Sequence, residues 1–303
     1  MNGYIGGIMD TSITADRSGT TTYTNYSDPL DKEITLIRTD GTLSGIKTSL
    51  FKDIFEVRSD SMRIAVLGDL HGHLTSAFDF LRKWKAYTNI SIDIIVQVGD
   101  IGACDRQSTI DKTTRELAKK DQKVMGFLDY YYQSCEADGF LGESGYFRDI
   151  PLYFVDGNHD DIDLLAKRWD GYYPSLQYLC DGVPATLSKS SINVQLTGLG
   201  WHASKGAIRR TKANTCDILL THSRIREGQP TFDFAEGIAH QYHFFGHSNG
   251  AYKLSSVELN SYGLDAVKPK KDGSYNPGCV GILEIRADGA RKFYYLPIKI
   301  PTE

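Results

Sequence analysis

The sequence has no CxxC pair, and its five cysteines, Cys104, Cys135, Cys180, Cys216 and Cys279, are odd in number and widely spaced. That argues against a disulfide framework and for free thiols in a reducing compartment. No apolar run approaches the roughly 20 residues that a membrane-spanning helix needs. The first residues lack the basic stretch and apolar core of a secretory signal. The expected location is the cytoplasm, with no membrane partner. Basic charge is not in excess either: 34 Lys and Arg face 38 Asp and Glu, for a net charge of −4. A generally basic nucleic-acid binder is thereby excluded, and nucleic acid stays open only through a local patch. There is no internal repeat.

What is present is 303 residues with 41% hydrophobic content, enough for a sizeable core in one large domain or two small ones. Residues 1–28 are rich in Gly, Ser, Thr, Asp and Asn without apolar periodicity, and read as a flexible arm. Residues 29–61 alternate around Asp40-Gly41 and read as a small β appendage. The main domain runs over 62–303. Its start reads strand, helix, strand, with helical spacing at Leu74, Ala77, Phe78, Leu81 and Trp84, so an α/β sheet with parallel neighbours is expected. A helical insert over 104–150 carries Tyr130, Tyr131 and Tyr132. It reads either as a flap packed on the sheet edge or as a lid whose aromatics stack on a ring of the substrate. From Leu176 onward strands dominate, which implies a second sheet packed on the first.

The chemistry gathers where apolar strands end. Ile64 to Leu67 runs into Gly68-Asp69-Leu70-His71-Gly72. In extended chain, residues i and i+2 point the same way, so Asp69 and His71 can share one point in space. A carboxylate oxygen and an imidazole nitrogen so placed form half of a metal site. Four further apolar strands end alike: in Gly99-Asp100, in Gly157-Asn158-His159-Asp160, in Thr221-His222, and in Gly246-His247-Ser248-Asn249. Asp69, His71, Asp100, Asn158, His222 and His247 are all oxygen or nitrogen ligand types at C-terminal strand ends, where open α/β sheets place their sites. Six such groups are too many for one ion. Two divalent ions about 3.5–4 Å apart with a bridging carboxylate fit the count. The thiolate-free set suits Mn first, with Fe or Zn as alternatives.

These blocks, in this order, resemble the calcineurin-like metallophosphoesterase superfamily, over about Met62 to Leu296. The resemblance implies a four-layer α/β/β/α sandwich, two packed mixed sheets flanked by helices. It implies that Asp69 and His71 bind the first metal, that Asp100 bridges, and that Asn158, His222 and His247 bind the second. His159 matches the family's non-ligand histidine and would protonate the leaving oxygen or stabilise developing charge, with Asp160 as its orienting partner. A metal-bridging hydroxide would attack phosphorus.

Two departures bear on substrate choice. The last block ends in Asn249 where the family pattern has a second histidine, so Asn249 is a candidate ligand through its amide oxygen. Protein Ser/Thr phosphatases carry Asp-Arg-Gly close behind the bridging aspartate. Here Cys104-Asp105-Arg106 comes two residues late and lacks the glycine, leaving Arg106 as a candidate phosphate contact. The Gly-Asp-Ile-Gly-Ala turn, the aromatic insert and Ile282-Leu-Glu-Ile carry a slighter likeness to the lariat-debranching branch. Outside the blocks, His73, His202, Arg209 and Arg210 are candidate substrate contacts, each against a structural or solvated alternative. The expected activity is phosphoester hydrolysis with monoesters slightly favoured, on a phosphorylated small molecule, protein or nucleotide. A phosphodiesterase or nuclease acting on RNA, DNA or cyclic nucleotides, and a non-catalytic scaffold, are the alternatives. The oligomeric state is not legible.

Overall fold

The computed structural model describes residues 60–104, 110–125, 127, 150–168, 176–226, 229–247 and 260–296, together with four short strands before them. The early strands form two antiparallel pairs, β1 (Thr11–Ala15) with β2 (Thr21–Asn25) and β3 (Leu36–Ile37) with β4 (Leu43–Ser44). The segment expected to be a flexible arm therefore contains a hairpin. Its threonines are β-branched and favour extended chain over coil.

The main domain opens with β5 (Ser61–Leu67), α1 (Leu74–Thr88) and β6 (Ile94–Gln97). Within the insert lie α2 (Lys112–Lys120) and a 3₁₀ turn over Gln122–Met125. Then come β7 (Leu152–Phe154), α3 (Ile162–Arg168), β8 (Leu176–Tyr178), β9 (Ala185–Lys189) and β10 (Ile192–Leu199). The chain continues through α4 (Lys205–Lys212), β11 (Ile218–Thr221), β12 (Ile225–Arg226) and β13 (Gln229–Asp233). It ends with β14 (Tyr242–Phe245), β15 (Ser261–Gly263), β16 (Val280–Arg286) and β17 (Arg291–Tyr295).

The strands make two mixed sheets. The first has the order β17-β16-β5-β6-β7-β8, with β5 to β8 parallel and β16 antiparallel to β5. The second has the order β15-β14-β11-β10-β9, with β10, β11, β14 and β15 parallel and β9 antiparallel at the edge. Alternation along β5 shows how they stack. Met62, Ile64 and Val66 join Val194, Leu196, Ile218, Leu220 and Phe244 between the sheets. Ala65 and Leu67 face the other way, onto Leu74, Ala77, Phe78, Leu81 and Trp84 of α1. Helix α4 covers the outer face of the second sheet through Ala207 and Ile208, against Leu199 and Leu219. These are the four expected layers.

The basic run around Arg209 and Arg210 lies on helix α4. Ser204 caps this helix, its side chain accepting from the Ala207 amide at 3.1 Å. Ala207, Ile208 and Thr211 are buried, leaving both arginines exposed on the opposite face. The aromatic cluster at 130–132 lies outside the described residues.

Leu81, fully buried between α1 and the first sheet, gives a direct test of this packing. Leu81→Ala should cost roughly 2–5 kcal/mol in denaturant unfolding. A loss below about 1 kcal/mol would contradict the layer.

Candidate metal centre

Each candidate ligand block leaves the C-terminal end of a parallel strand, three from the first sheet and two from the second: Asp69 after β5, Asp100 after β6, Asn158 after β7, then His222 after β11 and His247 after β14. At Gly99, Gly157 and Gly246 glycine is needed because another block's candidate ligand fills the side-chain space. A Cβ on Gly99 would lie 2.5 Å from the His222 imidazole. One on Gly157 would fall on the Asp100 carboxylate, and one on Gly246 on that of Asp69. Backbone bonds fasten the blocks to one another. The Asp100 carbonyl accepts from the amides of Leu70 (3.0 Å) and His71 (2.7 Å), and the His222 carbonyl from Gly246 (2.9 Å). His71, Asp100 and His247 have φ of 42°, 52° and 75°. Left-handed backbone in non-glycine residues costs of order 1–3 kcal/mol each and gathers at functional sites.

Two ligand groups result. Asp69, His71 and Asp100 bring ligand atoms within 4.8 Å of one another, and so do Asp100, His222 and His247. Asp100 belongs to both. It is buried, with Oδ1 accepting from the His159 amide at 2.8 Å. Its Oδ2 lies 3.4 Å from His222 Nε2 and 3.9 Å from His71 Nε2. The Asn158 amide oxygen stands 2.9 Å from His222 Nε2 and 2.8 Å from His247 Nδ1, which are themselves 3.1 Å apart.

The donor set fits a cation. His222 Nδ1 faces the Val98 carbonyl at 3.0 Å and donates to it. In the neutral ring this leaves a lone pair on Nε2, aimed at the Asn158 oxygen and the His247 nitrogen. The Asn158 oxygen, this lone pair and, in one of its two tautomers, His247 Nδ1 together suit a cation. The titration behaviour shows the same demand. Burial raises the Asp69 carboxyl, and Asp100 adds to this, to about 8. Burial alone would lower His222, but Asp100 and Asp69 together push it up to about 10. Against its burial, the cationic His222 holds Asp100 below the usual carboxylate range.

A family model described as calcineurin-like phosphoesterase matches residues 62–267. The chain belongs to that family. The metal-dependent hydrolase expected from the motif blocks is the class in which this phosphoesterase site stands. A lariat debranching enzyme of Arabidopsis thaliana is 25% identical over 112 residues, which is 37% of this chain and 23% of that protein. The chain thus spans about a quarter of the length of that relative. Among solved structures, a phosphatase of Mycoplasma pneumoniae superposes with a TM-score of 0.40 at 12% identity, covering 78% of this chain and 93% of the other. An amidase from Nesterenkonia sp. does so with 0.31 at 12% identity, covering 80% and 89%. Superposition at that level assigns no reaction.

The remaining expected site residues of this phosphoesterase divide. His159 is at the site: its ring centroid is 5.4 Å from that of His71. Asp160 does not orient it. The Asp160 carboxylate instead accepts from the amides of Gly157 (2.8 Å), Gly102 (2.8 Å), Ala103 (2.9 Å) and Ile101 (3.3 Å). It clasps the Asp100 loop to the Asn158 turn, because a buried carboxylate takes whatever amides the two loops leave unpaired. His73 is buried rather than open to substrate, its Nε2 3.4 Å from Asp121. Leading into α1, it holds the insert. His202 lies on the exposed rim, with Nδ1 2.8 Å from the buried Asp156. That hydrogen bond raises its pKa above the ordinary histidine value, against burial. Arg209 and Arg210 stay on the solvent face of α4. Arg106 and Asn249 lie outside the described residues.

Three residues escaped the sequence reading. Asp111 and Thr114, from α2, hold His159 Nδ1 at 2.8 and 3.0 Å. Trp201 packs on His247 with ring centroids 4.6 Å apart. The one available signal was position: Trp201 follows β10 as the ligands follow their strands. Nothing in the sequence around Asp111 marks it beyond its suitability as a helix cap.

Two outcomes follow from the proton-holding cluster. Metal binding must displace protons from groups raised to about 8 and about 10, so affinity should rise with pH across the neutral range. Calorimetric titration of Mn at pH 7 in buffers of different ionisation enthalpy should show proton release. Buffer-independent heats would refute it. Gly157→Ala, which crowds Asp100, should weaken metal binding about 10–100-fold, read by the same titration.

Proposed function

We propose that this phosphoesterase holds two divalent metal ions, Mn first, and hydrolyses phosphate esters with His159 as the acid. The carrying observation is that Asp100 belongs to both ligand groups while the His159 ring stands beside His71. In this reading Asp69, His71 and Asp100 would hold one ion, and Asn158, His222 and His247 would hold the other, with Asp100 common to both groups. When bound, the pair would neutralise phosphate oxygens and make a water nucleophilic near neutral pH. The protein's own part is geometric. The Val98 carbonyl fixes the His222 tautomer, Asp160 fixes the loop that presents Asp100, and His159 keeps Nε2 for the substrate. The water oxygen bonds to phosphorus, the ester P–O bond breaks, and the Nε2 proton passes to the departing oxygen. Water's proton goes to solvent, which reprotonates His159.

Monoesters are favoured slightly. The second reading is a phosphodiesterase or nuclease, supported by the match to a lariat debranching enzyme over 112 residues.

Mn-dependent hydrolysis of p-nitrophenyl phosphate and of its bis ester, run side by side, tests both. Asp100→Asn should lower kcat by roughly 10³-fold or more, the scale of several kcal/mol of charge stabilisation, with the fold kept by circular dichroism. An Asp100→Asn protein that is metal-free and fully active would sink the reading. Turnover of the bis ester alone would replace the monoesterase with the diesterase.

A further inference from the structure

The motif blocks supply every ligand but not the group that orients His159. That group comes from the insert. We infer that Asp111 is the positioning residue for His159, and that the docked insert is thereby a working part of the active site. This rests on the proposed role of His159 as the acid.

Asp111 does two jobs with one carboxylate. As the N-cap of α2 it accepts from the amides of Thr113 (2.7 Å) and Thr114 (3.1 Å) through Oδ1. Through Oδ2 it accepts from the Thr114 hydroxyl at 2.5 Å and from His159 Nδ1 at 2.8 Å. Those two donors hold its carboxyl down at about 2, against burial. Oδ2 is an acceptor only, so His159 keeps a hydrogen on Nδ1 in both charge states, and the proton that the imidazolium gives up as an acid is the one on Nε2. Nε2 is then the nitrogen left for a substrate oxygen. Thr114, buried within α2, completes the cradle with its hydroxyl 3.0 Å from the same nitrogen.

The insert is seated on the metal loop at its other end too. Asp121, directly after α2, faces His73 at 3.4 Å. The backbone carbonyls of Lys123 and Val124 pack so close over Gly72 that a Cβ there would strike them. Val124 is buried. The nine-residue helix α2 therefore runs between Asp121, beside His73, and Asp111, beside His159. Its seating and the orientation of His159 are a single structural variable. An acid borne by the blocks alone would not depend on the insert.

The test uses Asp111→Asn, because asparagine caps a helix nearly as well as aspartate but lacks the carboxylate. Glu116→Gln, exposed on the same helix and paired with Lys119, is the control. An alkyl phosphate needs its leaving oxygen protonated, whereas p-nitrophenolate leaves without help. Asp111→Asn should therefore lower kcat on the alkyl ester roughly 10–100-fold, within the 10²–10⁴ that a positioned acid contributes. On p-nitrophenyl phosphate the loss should stay under about threefold, with KM, metal content and Tm unchanged. The pH profile of kcat should change on the alkyl ester alone, and Glu116→Gln should match the parent. Equal losses on both esters, or no loss on either, would overturn the inference. If the unaltered protein hydrolyses neither ester, the proposed function fails instead. The imidazole ¹⁵N spectrum then decides the positioning role: the hydrogen-bonded Nδ1–H signal of His159 should vanish or move upfield in Asp111→Asn. An unchanged signal would overturn it.

Discussion

A buried carboxylate in a left-handed turn, Asp100, is the constraint on which the rest of the site depends. Its backbone carbonyl takes the amides of Leu70 and His71, which sets the first ligand loop. Its Oδ1 takes the His159 amide, which sets the third. Its Oδ2 faces His222 and His71 from opposite ligand groups. Burial of that charge is tolerable only with compensating positive charge close by. His222 supplies it as a cation in the bare protein, and a metal ion would supply more.

The other loops close a ring around this residue. Asp69 accepts the His247 amide at 3.2 and 3.0 Å, joining the first block to the last. Gly246 donates to the His222 carbonyl, joining the last to the fourth. Asp160 ties the second to the third with three amide bonds. Buried Gln97 adds a clasp at the base, its amide nitrogen donating to the carbonyls of Gly68 and Gly99. Few of these contacts touch a reacting atom. They make three strained φ values affordable, because each strained residue is over-determined by hydrogen bonds from a different segment.

The polar groups that misled are as instructive as those that did not. Asp160 follows His159 directly, and adjacency suggested an orienting partner. Adjacent residues in a tight turn diverge, so the Asp160 carboxylate points into the loops while His159 points to the site. The partner of His159 came from 48 residues upstream, where no pattern pairs the two. His73 looked like a rim histidine because it adjoins the first block. Its position leading into α1 turned it inward, beneath the insert. Both errors have one source: sequence spacing fixes direction in strands and helices but not in turns.

The sequence by itself determined the ligand types, their order and their attachment to strand ends, because apolar runs of buried parallel strands and the glycines after them are local patterns. It also determined the layers, since the alternation in β5 and the helical spacing in α1 are periodic signals that burial must obey. Only the tertiary structure decided why Gly99, Gly157 and Gly246 leave no room for a side chain, and that Asp111 reaches back to His159. Those facts depend on side chains from distant segments meeting at less than 4 Å. Such meetings are set by how two sheets and a docked helix pack, and no local pattern of residues records them.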